Sequence, residues 1–97
     1  MKTEKDLHKY AKKVCKDHGI FFRKLRAENV SGFPDLLLAK NGKLVFCELK
    51  SPSGTGRLSP LQLRTIQAMK DEGLDVRVAS QPHEIDRIIY ELLGVKK

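Results

Sequence analysis

The stretch GFPDLLLAKNGKLVFCELK, residues 32–50, decides the fold. Two apolar runs in it are separated by Asn41 and Gly42. An Asn-Gly pair in this position is the strongest short-range signal for a β-hairpin, because a two-residue type I′ turn needs a positive φ at both positions. Such a turn places Lys40 opposite Lys43, and this pairing sets the register of both strands.

Asp35, Glu48 and Lys50 form a candidate catalytic group within this hairpin. Counting back from the turn sets Asp35 opposite Glu48, and opposed residues of an antiparallel pair share a face with Cβ atoms about 4.5–5.5 Å apart. Lys50 lies two residues beyond Glu48 and therefore on the same face. Two carboxylates at this distance destabilise a hairpin unless a cation bridges them or one binds a proton. The pattern therefore predicts a divalent metal site; the alternative is an ordinary turn at Pro34-Asp35 and an ion pair at the sheet rim.

The remaining elements alternate around the hairpin. The sequence predicts a helix that is capped by Thr3 and runs to about His18, where Gly19 ends it, followed by a strand from Ile20 to about Ala27. After the hairpin it predicts a helix that is capped by Ser59, opened by Pro60 and closed near Gly73, a strand over Val76–Ala79, and a last helix that Pro82 opens and that ends before Gly94. Both faces of the second hairpin strand are apolar, which is typical of a central strand covered on both sides. The order α-β-β-β-α-β-α implies an α/β fold in which helices pack on a mixed sheet.

Each of the first two helices carries a polar residue within its predicted apolar stripe. The stripes consist of Leu7, Ala11, Val14 and Cys15 on the first helix and of Leu61, Leu63, Ile66 and Met69 on the second. At about 100° per residue, Glu4 falls near the middle of the first stripe, one turn ahead of His8, and Gln62 near the centre of the second. A polar side chain aimed at the core is costly without a partner, so both are candidate site residues. The alternatives are that Glu4 interacts with the helix dipole and that Gln62 completes a capping box with Ser59.

Charge and composition indicate a nucleic-acid partner. The 97 residues include 19 Lys and Arg against 12 Asp and Glu, a net charge of +7. This excess suits DNA or RNA, whose phosphates dominate affinity, although surface lysines that only promote solubility are an alternative. Lys24, Arg26 and Arg57 are candidate phosphate contacts or, equally, solvated charges. Aromatic residues are few, which disfavours a single-strand binder that acts by stacking.

Length and hydropathy predict one domain over residues 1–97, with neither a signal peptide nor a membrane span. Cys15 and Cys47 have no ligand or disulfide spacing, so we expect buried free thiols and a reducing cytoplasm. The three histidines, His8, His18 and His83, show no ligand spacing, and no chemistry is assigned to them. The segment over residues 51–57, with Gly54 and Gly56, is predicted to be a flexible loop and lacks the Gly-Lys-Ser/Thr ending of a P-loop.

These motifs together resemble the VRR-Nuc family (virus-type replication-repair nucleases) of the PD-(D/E)xK nuclease superfamily. The matching residues are Glu4, Gly32-x-Pro34-Asp35, Glu48-x-Lys50 and Ser59-Pro60-x-Gln62. The resemblance extends to about Gly94 and implies a restriction-endonuclease-like αβββαβ core with an additional C-terminal helix. It also implies an Mg²⁺- or Mn²⁺-dependent phosphodiesterase of the minimal stand-alone type found in viruses and bacteria, with an active site made of Glu4, Asp35, Glu48, Lys50 and Gln62.

The roles of these residues follow from the chemistry of hard cations. Mg²⁺ prefers oxygen ligands, so the expected set is Asp35, Glu48, the Leu49 backbone carbonyl, and Glu4 either directly or through a water. Lys50 is expected to orient the attacking water and to stabilise the phosphorane-like transition state. Gln62 is expected to position a water or a phosphate through its amide.

The resemblance further suggests a homodimer that resolves four-way (Holliday) DNA junctions, because one small module carries one site. The apolar face of the last helix, or exposed Phe21 and Tyr90, is the expected dimer interface. The rival functions are a nuclease of flap DNA or RNA and a non-catalytic nucleic-acid-binding module. The complete set of acidic residues and lysine argues against the second rival, since a decayed nuclease usually loses one of them.

Overall fold

A computed structural model of the protein describes residues 3–25, 32–53 and 57–94. The elements are α1 (Glu4–Asp17), β1 (Phe21–Lys24), β2 (Leu36–Lys40), β3 (Lys43–Leu49), α2 (Pro60–Asp71), β4 (Val76–Ala79) and α3 (Pro82–Leu93). The strands form one sheet in the order β1-β2-β3-β4. The pairs β1–β2 and β2–β3 are antiparallel and β3–β4 is parallel. The predicted element order and mixed sheet are therefore confirmed.

The tight turn between β2 and β3 has the predicted conformation. Asn41 and Gly42 have φ angles of 53° and 79°, the two positive values that a type I′ turn requires. Lys40 pairs with Lys43, and the register runs without interruption to Leu36 opposite Cys47. One further step along this register places residue 35 opposite residue 48, so local turn chemistry aligns the two carboxylates.

Helices cover both faces of the sheet. α1 and α3 contact each other and the sheet on one face, whereas α2 lies against β4. The main core, between α1, α3 and the sheet, includes the fully buried side chains of Leu7, Cys15, Leu36, Leu38, Cys47, Leu49, Ile85, Ile89 and Leu92. A smaller apolar cluster beneath α2 contains Ile66, Met69 and Val76. Both cysteines are buried free thiols, as predicted.

The first strand is shorter than the predicted span from Ile20 to about Ala27. It ends at Lys24, which pairs with Leu36, the first residue of β2. A strand extends only as far as its partner does, and the single-strand pattern carries no information about where that partner begins. Residues 26–31, and with them the predicted end of this strand, lie outside the described residues.

Two predictions about apolar helix faces were wrong. Leu61 and Leu63 were assigned to the buried stripe of α2, but their exposed fractions are 40% and 54%. The buried residues of α2 are Ile66 and Met69, which pack with Val76 of β4 and Phe46 of β3. The apolar face of α3 was expected to be available for dimerisation, yet it is buried within the chain's own core. None of the described helices is long and apolar enough to span a bilayer.

Candidate active site

Asp35 is fixed at the start of β2 by contacts on both sides. Its backbone carbonyl accepts a hydrogen bond from the Leu25 amide at 2.7 Å, and its Oδ2 accepts one from the Leu49 amide at 3.2 Å. The preceding turn is equally constrained, because Pro34 is buried and Gly32 has a φ of 88°. The carboxylate is therefore held against the end of β3, and the Leu49 peptide borders it.

Glu48 is the buried acidic group of the site, with only 3% of its surface exposed. Its Oε2 accepts a hydrogen bond from Gln62 Nε2 at 3.0 Å and lies 3.5 Å from Lys50 Nζ. Its Oε1 is buried and makes no hydrogen bond within the described ranges. Burial, and secondarily the negative charge of Asp35, raises the pKa of Glu48 to about 7, against the lowering effect of Lys50. The ionised form of Glu48 is therefore destabilised in the folded protein, and its Oε1, which has no partner among the described residues, can bind a ligand.

Gln62 joins the start of α2 to the two charged residues. Its Oε1 accepts hydrogen bonds from the Ser59 amide at 2.9 Å and from Lys50 Nζ at 3.2 Å, while its Nε2 donates to Glu48. The Ser59 hydroxyl accepts a hydrogen bond from the backbone amide of Gln62 at 3.1 Å, which completes a capping box. This one side chain therefore caps α2 and also contacts Lys50 and Glu48.

Glu4, His8 and Asp35 meet at the open side of the site. His8 Nε2 lies 3.7 Å from Asp35 Oδ2 and 4.0 Å from Glu4 Oε2. One ligand atom from each residue can be chosen so that all three lie within 4.8 Å of one another, which is a grouping able to hold a metal ion. Glu4 is exposed rather than buried in the stripe of α1, because it lies at the first position of that helix, beyond the packed core.

His8 is the residue that sequence reasoning missed. No ligand spacing was recognised for it, but it lies four residues after Glu4 on α1 and therefore on the same helical face. That spacing was the available signal, and it gains meaning only once Asp35 is placed beside the same face. His18 and His83 are both exposed.

Two of the three predicted nucleic-acid contacts are exposed in the structure, and the third lies outside the described residues. Lys24 is exposed at the end of β1 and lines a groove that reaches His8. Arg57 is exposed just before α2. Arg26 and the loop glycines, Gly54 and Gly56, lie outside the described residues, so their predicted roles stay predictions.

The fold and this arrangement of acidic residues, lysine and glutamine define a nuclease-type domain. A family model described as the VRR-NUC domain matches residues 2–81, and the chain belongs to this family. The chain is also similar to a solved structure described as a VRR-NUC domain, with a TM-score of 0.78 and 32% sequence identity over 92% of this chain and 96% of that chain. No curated protein matches the chain. Family membership gives the protein a nuclease-type function with nucleic acid as its partner.

Proposed function

We propose that this protein is a divalent-metal-dependent endodeoxyribonuclease that hydrolyses phosphodiester bonds in branched DNA, with the four-way junction as its main substrate. The observation that carries the proposal is the environment of Glu48. This carboxylate is buried, lies next to Asp35, has one oxygen without a partner among the described residues and faces the ammonium group of Lys50 at 3.5 Å. A fold that needed this residue only for packing would favour a neutral side chain at the position.

The residues fit Mg²⁺ or Mn²⁺. Carboxylate and carbonyl oxygens are the donors these ions prefer, and Asp35 and Glu48 supply two carboxylates one step beyond the Leu36–Cys47 pair of the β2–β3 ladder. The unpaired Oε1 of Glu48 offers a free lone pair to a cation. The Leu49 carbonyl and Glu4 are the further proposed ligands. When bound, the ion lowers the pKa of a coordinated water and neutralises charge on the scissile phosphate.

Lys50 and Gln62 position and stabilise the reacting groups. Lys50 Nζ is held between Glu48 and Gln62, so its charge is fixed before substrate arrives. A preorganised ammonium group in a largely buried setting stabilises negative charge on phosphate oxygens more effectively than a solvated lysine does. The side-chain amide of Gln62 orients Glu48 and Lys50. The Lys50 ammonium group has three N–H donors, so it can still donate to an attacking water or a phosphate oxygen.

A basic groove supports DNA as the substrate. It has a volume of about 270 Å³ and is lined by Lys5, His8, Lys9, Lys12, Phe22 and Lys24. Lys5, Lys9 and Lys12 share one face of α1 because they are spaced by four and three residues. The groove meets the proposed site at His8, so a phosphate backbone held there would continue past Asp35. Exposed Arg57 is a further proposed backbone contact on the α2 side.

Cleavage of a four-way junction requires two sites, and we propose a homodimer for that reason. The buried face of α3 does not supply its interface. Phe21 remains a candidate because half of its surface is exposed, with the Arg23 guanidinium 4.5 Å from the ring centroid. Tyr90 is partly buried and contributes less exposed surface.

The test is cleavage of labelled four-way junction, flap, linear duplex and RNA with Mg²⁺, Mn²⁺ or EDTA, together with sedimentation of the protein. Asp35→Ala and Lys50→Ala should abolish cleavage while circular dichroism shows that both remain folded. Lys70→Ala, which removes an exposed lysine at the end of α2, is the matched control and should cut normally.

Each rival function has its own result in this experiment. Preferential cutting of flap DNA or RNA would replace the junction assignment. Sedimentation as a monomer, or equal rates on junction and linear duplex, would refute paired action on a junction. Binding that survives EDTA without cleavage under any metal would identify a non-catalytic nucleic-acid-binding module.

A further inference from the structure

His8 faces both carboxylates of its cluster across a gap that is too wide for a hydrogen bond. The distances from His8 Nε2 to Asp35 Oδ2 and Glu4 Oε2 are 3.7 Å and 4.0 Å. Hydrogen bonds between nitrogen and oxygen span about 2.7–3.2 Å. Ligand atoms that share one cation are themselves separated by about 3–4 Å when each bond is near 2.1 Å long. Both spacings from His8 therefore suit a shared cation better than a hydrogen bond, and one ligand atom from each of the three groups lies within 4.8 Å of the others.

The imidazole is held in this position by the fold. His8 directly follows Leu7 on α1. The Leu7 side chain is fully buried, and only 17% of the His8 side chain is exposed. Its Nδ1 is buried and has no hydrogen-bond partner within the described part of the chain. The ring therefore lacks the buried hydrogen bond that a structural histidine makes, and the nitrogen that approaches other polar groups is the one facing the carboxylates.

A second, independent feature points to a cation beside Asp35. Glu48, whose side chain is 4% exposed, lies opposite Asp35 by the hairpin register and keeps Oε1 unpaired among the residues described. Asp35 therefore lies between two groups of potential ligands, the buried Glu48 on one side and His8 with Glu4 on the other.

We propose that His8 Nε2, together with Asp35 and Glu4, binds a divalent transition metal and makes the site prefer Mn²⁺ to Mg²⁺. This proposal rests on the proposed function for the presence of a cation at Asp35 and adds the identity of that cation. Mg²⁺ is bound through oxygen and keeps several waters, whereas imidazole is a ligand of transition metals. A mixed nitrogen and oxygen set therefore discriminates between two ions that an all-oxygen site accepts alike.

The test measures metal binding without nucleic acid. Titration calorimetry gives the affinities of wild type, His8→Gln, Asp35→Ala and the control His83→Gln for Mn²⁺ and Mg²⁺. His8→Gln should weaken Mn²⁺ binding by about tenfold or more and change Mg²⁺ binding little, because loss of a ligand costs at least as much as loss of its supporting group. Pulsed electron paramagnetic resonance of the Mn²⁺ complex should show coupling to a ring nitrogen that disappears in His8→Gln.

The same spectrum from wild type containing ¹⁵N-histidine tests ligation without any substitution, so the result does not depend on how the variant folds. Affinities that depend on Asp35 but not on His8, without nitrogen coupling, would overturn the role of His8 and leave the proposed nuclease intact. Nitrogen coupling from His8 in a protein that cuts no nucleic acid would support the metal site and overturn the nuclease. Absence of Mn²⁺ binding would overturn the role of His8.

Discussion

Glu48→Gln should stabilise the metal-free protein at neutral pH although it removes a candidate catalytic residue. Burial and the adjacent charge of Asp35 raise the pKa of Glu48 from an ordinary 4.5 to about 7, so ionising this group opposes folding. At roughly 1.4 kcal/mol per pKa unit, the cost at pH 8 is about 3 kcal/mol. The glutamine side chain of the variant would keep an oxygen that accepts a hydrogen bond from the Gln62 amide and would carry no charge to bury.

The pH dependence gives the sign of this effect. Because the folded pKa lies above the unfolded value, the protonated carboxyl favours the folded state, and that contribution is fully present below about 4.5. It is lost as the pH rises through about 7. The difference in unfolding free energy between Glu48→Gln and wild type should therefore grow from near zero at acid pH to about 3 kcal/mol at pH 8.

The assay is urea unfolding in EDTA across this pH range, with exposed Glu72→Gln as the control whose difference stays flat. Saturating Mn²⁺ should then reverse the order, since a ligand at about 100 times its Kd adds ~2.7 kcal/mol to wild type and much less to a variant lacking one carboxylate. A metal-free Glu48→Gln protein that is less stable than wild type at pH 8 would refute the reasoning.

Three further perturbations test the turn, the core and the groove. Gly32→Ala should lower the unfolding free energy by about 1–3 kcal/mol in chemical denaturation, because the φ of Gly32 is 88° and an added Cβ would lie 2.9 Å from Thr65 Oγ1. Unchanged stability would contradict this account of the turn. Cys47 should resist iodoacetamide in the native protein and react after unfolding, as followed by mass spectrometry, because burial raises the pKa of its thiol to about 12. Lys9→Gln and Lys12→Gln should each reduce the slope of log K against log salt for DNA binding by about 0.9; equal slopes would exclude the groove as a phosphate contact.

The hairpin could be predicted almost completely because its determinants are local. Asn41 and Gly42 specify the turn, and the turn specifies every pair of the β2–β3 ladder. The end of β1 and the exposure of Leu63 could not be predicted in the same way. Both depend on the extent of a neighbouring element, and the period of a sequence shows which face is apolar but not how much of it is covered.

The same distinction between local and tertiary determinants applies to the candidate site. Asp35 and Glu48 were aligned by the turn, whereas the placement of His8 depends on how α1 packs across the start of β2. A helical spacing of four brings Glu4 and His8 to one face, but only tertiary packing brings that face to Asp35. The sequence alone therefore aligns the two residues of the hairpin, and it points to Glu4 and Gln62 only as polar residues within apolar stripes. His8 breaks no such pattern, so its place beside Asp35 emerges only from tertiary packing.

Gln62 shows why its two predicted roles need not compete. An amide oxygen has two lone pairs and an amide nitrogen has two hydrogens, so one side chain can accept from both Ser59 and Lys50 while donating to Glu48. The consequence is mechanical as well as chemical. The helix start cannot shift without moving the group that orients the lysine and the buried carboxylate, so the first turn of α2 and the candidate catalytic group form one connected hydrogen-bonded unit.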